Sequence, residues 1–202
     1  MKLVIIGAGG HAKVVADTAQ LAGWQVLGFA DDNLDAALFG LPHLGKPSNL
    51  EPPKDVHVTI AIGSNLVRQK LDLALSSHFS WATVIHPKAI LSSRAILQAG
   101  TVVFAGAVIQ ADAVIGQHCI VNSSASIDHD CKIADYCHVA PNATLTGGVT
   151  LETGVFIGAG SVVIPNKHIG AWSTLGAGSV CVENLDSNGT FVGIPAKRLT
   201  SA

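Results

Sequence analysis

The chain has 202 residues, 49% of them hydrophobic but only 5% aromatic, with 21 glycines and a formal charge of −2. That length holds one large or two modest domains, and the lack of any Lys/Arg cluster argues against a nucleic-acid partner gripped through its phosphates. No apolar run approaches the eighteen residues that span a bilayer, so no membrane partner is expected either.

Residues 2–6, Lys-Leu-Val-Ile-Ile, read as a buried parallel strand. The run stops at Gly7 after four apolar residues, too short for a signal-peptide core. Gly7-Ala8-Gly9-Gly10-His11 follows, then a helix expected over about Ala12 to Leu21 with Val14, Val15, Thr18 and Leu21 covered and Gly23 closing it. A second strand, Gln25 to Ala30, ends at Asp31-Asp32-Asn33, and a third, Val56 to Ile62, ends at Gly63-Ser64-Asn65. A second helix is expected from Leu66 to Ser76, carrying Leu66, Leu71, Leu73 and Leu75, and Trp81 to Ile85 reads as a last short strand. Strands alternating with helices imply a parallel α/β sheet, here one half of a doubly wound domain.

Gly7-x-Gly9-x-x-Ala12 with Asp31 downstream fits a dinucleotide fingerprint, another nucleotide-bearing ligand, or a merely structural tight turn. Glycines admit a ligand to the backbone, and a helix N-terminus favours an anion. Three strand ends with small or polar residues converge where open parallel sheets bind ligands. Asn65 could equally be a helix cap.

His86-Pro87 marks a boundary, dividing the chain into residues 1–85 and 86–202. From Leu91 to Cys181, every sixth residue is Leu, Ile or Val in fifteen of sixteen steps. Four residues after each step stands a small or β-branched residue, Lys167 and Leu185 excepted. A period of six fits neither a helix nor a plain strand. It fits a hexapeptide parallel β-helix, in which short strands turn corners and stack their apolar column. Three steps per coil make about five coils, roughly 4.8 Å apart.

Cys119, Cys131 and Cys137 take the small inward position and Cys181 the apolar one. Such thiols act as small buried hydrophobes, and no C-x-x-C spacing suggests zinc or a disulfide framework. A reducing, cytoplasmic location is the default. His129 and Asp130 sit between inward anchors, so they point outward or lie at a corner. They are either ordinary surface or a base whose tautomer a carboxylate fixes. His138 is open in the same way, and His118 and His168 read as surface.

Taken together, Gly7-Ala8-Gly9-Gly10-His11-Ala12-Lys13-Val14-Val15, Phe29-Ala30-Asp31-Asp32, Ala61-Ile62-Gly63-Ser64-Asn65, Asp128-His129-Asp130-Cys131 and the tail Phe191 to Arg198 resemble one family. These are the sugar O- and N-acetyltransferases of the left-handed β-helix class, in particular the bacterial nucleotide-sugar 4-amino N-acetyltransferases of bacillosamine and perosamine synthesis. The resemblance implies acetyl-CoA-dependent acetylation of the C4 amine of a UDP-linked 4-amino-4,6-dideoxy sugar, with no metal. Alternatives are a GDP- or dTDP-linked sugar, O-acetylation of a sialic acid, a non-catalytic nucleotide-binding trimeric scaffold, or an NAD enzyme.

By resemblance, His129 is the general base and Asp130 its support. Gly9, Gly10, His11, Asp31, Asp32, Gly63, Ser64 and Asn65 bind the nucleotide sugar, while His138, Gly147, Ala159 and Ala177 contact acetyl-CoA. Residues 1–85 then form the nucleotide-sugar domain and 86–202 the acetyltransferase β-helix. A homotrimer with active sites between subunits is implied. Lys167 at an inward position suggests a local irregularity there.

Overall fold

The structure, a computed structural model, describes residues 1–75 and 79–200. Its first elements are β1 (Lys2–Ile6), α1 (Gly10–Leu21), β2 (Gln25–Ala30), β3 (Val56–Ile60), α2 (Asn65–Leu75) and β4 (Ser80–Trp81). The four strands form one parallel sheet in the order β2-β1-β3-β4. α2 is one turn-residue earlier than expected at its start, and the expected last residue, Ser76, lies outside the described residues. No helix among the described residues is long and apolar enough to cross a membrane.

Two helix expectations are corrected. In α1, Val15 and Thr18 are buried as expected, but Val14 and Leu21 are 43% and 56% exposed. The buried stripe instead runs through Ala12, Val15, Ala16 and Ala19, because α1 is wedged between the sheet and the next domain. Small side chains let the layers close on one another. In α2, Leu66 and Leu73 are exposed, whereas Arg68 and Asp72 are buried.

The anticipated strand 81–85 is two. Ser80–Trp81 completes the sheet, while Val84–Ile85 opens a parallel β-solenoid of the left-handed hexapeptide class. Val84 pairs with Val102 and Val102 with Ile120, so each coil takes eighteen residues over three faces. The first face runs upward from Val84–Ile85 through Ile120–Val121, His138–Val139 and Phe156–Ile157 to Thr190–Val192. The second begins at Ile90–Leu91 and the third at Ile96–Leu97. There are about six turns rather than five. The ladder extends one step below Leu91, to Ile85, and continues past Cys181 to Phe191.

The inward column, Ile109, Ile127, Leu145 and Val163 among it, fills the solenoid core with Ala107, Cys131 and Ala143. All four cysteines are free and buried, as expected. At the corners, every sixth residue from Gly100 to Gly178 adopts a left-handed conformation, with φ between 51° and 77°. Gly, Asn or Asp occupies ten of these fourteen positions, the types that tolerate it at least cost. Three of the other four, His118, Tyr136 and Trp172, share the corner against which α2 docks.

No register change occurs at Lys167: Thr150 pairs with His168 and Leu151 with Ile169 in regular fashion. The irregularity is higher up. Leu185 stands four residues after Cys181, pairs with Ile169 and is itself the next inward residue. Two residues are missing from that coil, which explains why Leu185 broke the small-residue rule. The final strand, Thr190–Val192, is then covered by Lys197–Arg198 in an antiparallel hairpin.

The first face is the one that carries the α/β domain. Val84, Val102, Phe104 and Ile120 project outward from it into the same cluster as α1 and Phe29.

Candidate active site

The carboxyl ends of β1, β2 and β3 meet above this first face. A Cβ built on Gly9, Gly10 or Gly63 would touch nothing within 4 Å, so the backbone there faces open space. Asp31 joins two of the loops: Oδ2 accepts the Ala8 N–H at 2.9 Å and Oδ1 accepts that of Asn33 at 2.9 Å. Asp31 and exposed Asp32 line a cavity of about 110 Å³ with Gly7, Ile62 and Val67. Gly63, Ser64 and Asn65 line a second, larger groove of about 360 Å³ against Phe156, Trp172 and Thr174.

Asn65 opens α2, yet its side chain does not cap it. Its Nδ2 donates to the Gly154 and Val155 carbonyls at 3.0 and 3.2 Å, tying the helix to the solenoid.

Close to these loops lie two imidazoles, His11 and His138, with ring centres 6.3 Å apart. His11 also meets the edge of Phe104, and His138 that of Phe156. His138 Nε2 is 3.0 Å from the Asn122 amide nitrogen, which donates to it. His11 Nε2 and His138 Nδ1 are buried without a partner. Burial, with the Arg68 charge nearby, pushes His11 down to about 4 and His138 to about 3, so both are neutral at pH 7. His138 therefore sits beside the glycine loop of its own chain.

His129 is elsewhere. Its corner joins the second and third faces, which makes it the vertex opposite the face covered by the α/β domain. Its Nδ1 lies 2.7 Å from Asp130 Oδ2, and the side chain is 61% exposed. Asp128 Oδ1 accepts the His129 backbone N–H at 2.8 Å. The Asp130 hydrogen bond, then the Asp128 charge, raises the imidazole above its ordinary value. Asp130 occupies the left-handed corner, φ 60°, which a carboxylate side chain tolerates. Gly147, one coil above His129, lies directly against its ring.

Ala159 and Ala177 are exposed and stacked one coil apart at the corner joining the first and second faces, where Gly178 N–H donates to the Ala159 carbonyl. The residues marked by the sequence thus form three groups in one chain. The loop residues gather with His138, His129 and Asp130 with Gly147, and Ala159 with Ala177. Among the described residues no His, Cys, Asp and Glu cluster could hold a metal.

Sequence reasoning missed a buried polar cluster beneath the loop. Arg68, 1% exposed, donates from its guanidinium to main-chain carbonyls on both domains. Asp72, one turn along α2, accepts the Tyr136 hydroxyl at 2.6 Å and lies 3.1 Å from His118 Nε2. His118, expected on the surface, is fully buried, with the Tyr136 ring stacked on it and Trp81 edge-on. Its corner is the one α2 covers. The available signal was that Arg68 and Asp72 share the i, i+3, i+4, i+7 stripe of α2 with Leu71 and Leu75. His168, by contrast, stays half-exposed, 3.1 Å from Glu152.

Residues 2–72 match the PglD N-terminal domain family, and residues 112–147 match the bacterial transferase hexapeptide family of six repeats. Among solved structures, PerB from Caulobacter crescentus, in complex with CoA and GDP-perosamine, is 38% identical with a TM-score of 0.92. That match covers 99% of this chain and 98% of PerB. The acetyltransferase domain of PglB from Neisseria gonorrhoeae FA1090, in complex with acetyl coenzyme A, is 36% identical with a TM-score of 0.93, covering 98% of each chain. WeeI from Acinetobacter baumannii AYE is 27% identical with a TM-score of 0.90, covering 98% of this chain and all of WeeI.

Proposed function

The chain belongs to the sugar N-acetyltransferases of the left-handed β-helix family, acetyl-CoA-dependent acyltransferases, and from that premise we propose that it acetylates the C4 amine of a nucleotide-linked 4-amino-4,6-dideoxy sugar. The observation that carries this reading is the His129–Asp130 pair. With Nδ1 facing the Asp130 carboxylate, Nδ1 holds the proton and Nε2 is the free basic nitrogen.

The amine nitrogen attacks the thioester carbonyl, forming the C–N bond while its proton passes to His129 Nε2. The C–S bond then breaks, and the imidazolium returns the proton to the departing thiolate. Amide and free CoA thiol are the products, and positioning plus proton transfer suffices without a metal.

In this reading residues 1–85 hold the nucleotide sugar through Gly9, Gly10, His11, Asp31, Asp32 and Gly63 to Asn65, and residues 86–202 carry out the transfer. Gly147, Ala159, Ala177 and His138 contact acetyl-CoA. The loop cluster on the first face and His129 on the opposite vertex are separated by the thickness of one solenoid, so a single chain cannot bring them together. A homotrimer, in which a neighbour's vertex meets this chain's loop, resolves the separation. The half-exposed columns led by Ile90 and Ile96 on the second and third faces supply apolar surface for it. Four buried free thiols suit a reducing, cytoplasmic setting.

The family resemblance points first to a UDP-linked acceptor. PerB, solved with GDP-perosamine, favours a GDP-linked one as the second reading. Thiol release from acetyl-CoA, followed with UDP-, GDP- and dTDP-linked 4-amino sugars, separates them. Release with one nucleotide class identifies the acceptor, and no release with any would sink the reading.

A further inference from the structure

Among the described residues Arg68 is the largest fully buried side chain, and its place in α2 runs against expense: desolvating a guanidinium is costly, and an apolar contact would join two domains more cheaply. Burial pulls it down only to about 10, so it stays charged at neutral pH. Its planar fork is fully used. Nε donates to the His118 carbonyl at 2.9 Å, and Nη2 to those of Tyr136 and Cys137 at 2.8 and 3.3 Å, all on the solenoid. Nη1 donates to the Ile62 and Gly63 carbonyls at 3.2 and 3.1 Å, and Nη2 also reaches Asn65 Oδ1 at 3.0 Å.

One end of the fork therefore grips two successive coils, and the other grips the loop that forms a wall of the groove facing Phe156 and Trp172. Lysine could not do this, having a point charge and no fixed fork. We propose that Arg68 is a positioning residue for the acyl acceptor: it fixes the loop from Ile62 to Asn65 against the solenoid, so that the bound sugar's amine is presented at a set distance from the first face. Asp72, one turn on, bonds the solenoid side alone, accepting the Tyr136 hydroxyl and lying 3.1 Å from His118 Nε2.

The proposal rests on the acetyltransferase reading and fails separately from it. Thiol release by the wild-type protein tests that reading first. Given an active wild type, Arg68→Lys is expected to raise KM for the nucleotide-linked amino sugar about tenfold, with KM for acetyl-CoA unchanged. Tyr136→Phe serves as the control, since it weakens the same buried cluster without removing a donor to the loop. It is expected to lower Tm while leaving both KM values alone. Equal KM changes for both substrates in Arg68→Lys, or a sugar KM that rises as much in Tyr136→Phe, would overturn the assignment. If Arg68→Lys is not recovered folded, Arg68→Gln, which has no charge to desolvate, is expected to give the same KM pattern. Loss of the fold in both variants would also overturn it, making Arg68 a determinant of folding instead of loop position.

Discussion

The imidazole of His129 lies on the bare backbone of Gly147: a Cβ at that position would stand 2.6 Å from His129 Cε1 and 2.7 Å from Nε2. Gly147 is not in a left-handed conformation, so alanine there strains no backbone. What must yield is the exposed ring, which can swing outward at little cost. Gly147→Ala is therefore expected to lower kcat by roughly 10²-fold, the scale of a misplaced catalytic group, with Tm changed little. A drop in Tm with kcat retained would contradict it.

Removing the ring altogether isolates the proton transfer. His129→Ala is expected to lower kcat by about 10²–10⁴-fold, the usual contribution of a general base. Affinity for the nucleotide sugar, measured by calorimetry, should persist because the loop cluster is untouched. A variant that keeps wild-type kcat would falsify the base assignment.

The acid limb of kcat/KM should report the same imidazole. Only neutral His129 accepts a proton, and its folded value is raised by the Asp130 hydrogen bond first and the Asp128 charge second. Activity is thus expected to fall as pH drops through a midpoint above 6.5. Asp130→Asn removes the main cause of the rise, so the limb should move to lower pH while the plateau rate decreases. An unmoved limb would assign the titration to another group.

A site built from two subunits can be repaired by mixing. Gly63→Trp places an indole in the groove from a position where nothing lies within 4 Å of a Cβ. Unfolded and refolded together in equal amounts, inactive His129→Ala and Gly63→Trp chains should regain roughly a quarter of wild-type activity by random association. No recovery would mean that pocket and base act within one chain.

Stability should decline in mild acid. His11 and His138 titrate near 4 and 3 in the folded protein, held down chiefly by burial, against about 6.5 unfolded. Between these values the unfolded chain binds more protons, so stability falls as pH drops below about 6.5 and levels off near 3 to 4. Each group contributes a slope of about 1.4 kcal/mol per pH unit in that window. Urea midpoints at pH 7, 6 and 5 should show it, and His138→Gln should flatten the curve. An equally steep curve in that variant would remove His138 from the account.

The inward ladder was legible because stacking enforces one register at every step, and the hits from Val103 upward proved buried, with Leu91 and Leu97 partly buried at the foot. β2 was legible for a similar reason, bounded by turn residues on both sides. Which outward residues would be covered was not legible, since a six-residue period treats all three faces alike. Only an eighteen-residue comparison separates them. The first face presents Val84, Val102, Ile120 and His138, whereas the third presents Ile96, Val114 and Lys132. His118 and Arg68 were lost for that reason, both lying where one domain meets the other. The burial of His118 follows from docking, which leaves no local pattern, and that of Arg68 was signalled only by its place on the covered stripe of α2.

The shortened coil at Leu185 and the hairpin above it bear on how the protein behaves in a crowded solution. A β-solenoid ends in a row of unpaired backbone groups, an invitation for another molecule to add a further rung. Here the topmost strand of the first face is already paired with Lys197–Arg198, running in the opposite direction. Both side chains are charged and exposed, and Arg198 folds back over the Phe191 ring at 5.9 Å. Despite the two-residue deletion, Leu185 still stacks on Ile169 and Phe191 on Leu175. An incoming copy would meet a charged antiparallel strand on that face in place of the parallel rung it would have to extend. End-to-end polymerisation is thereby discouraged at this tip.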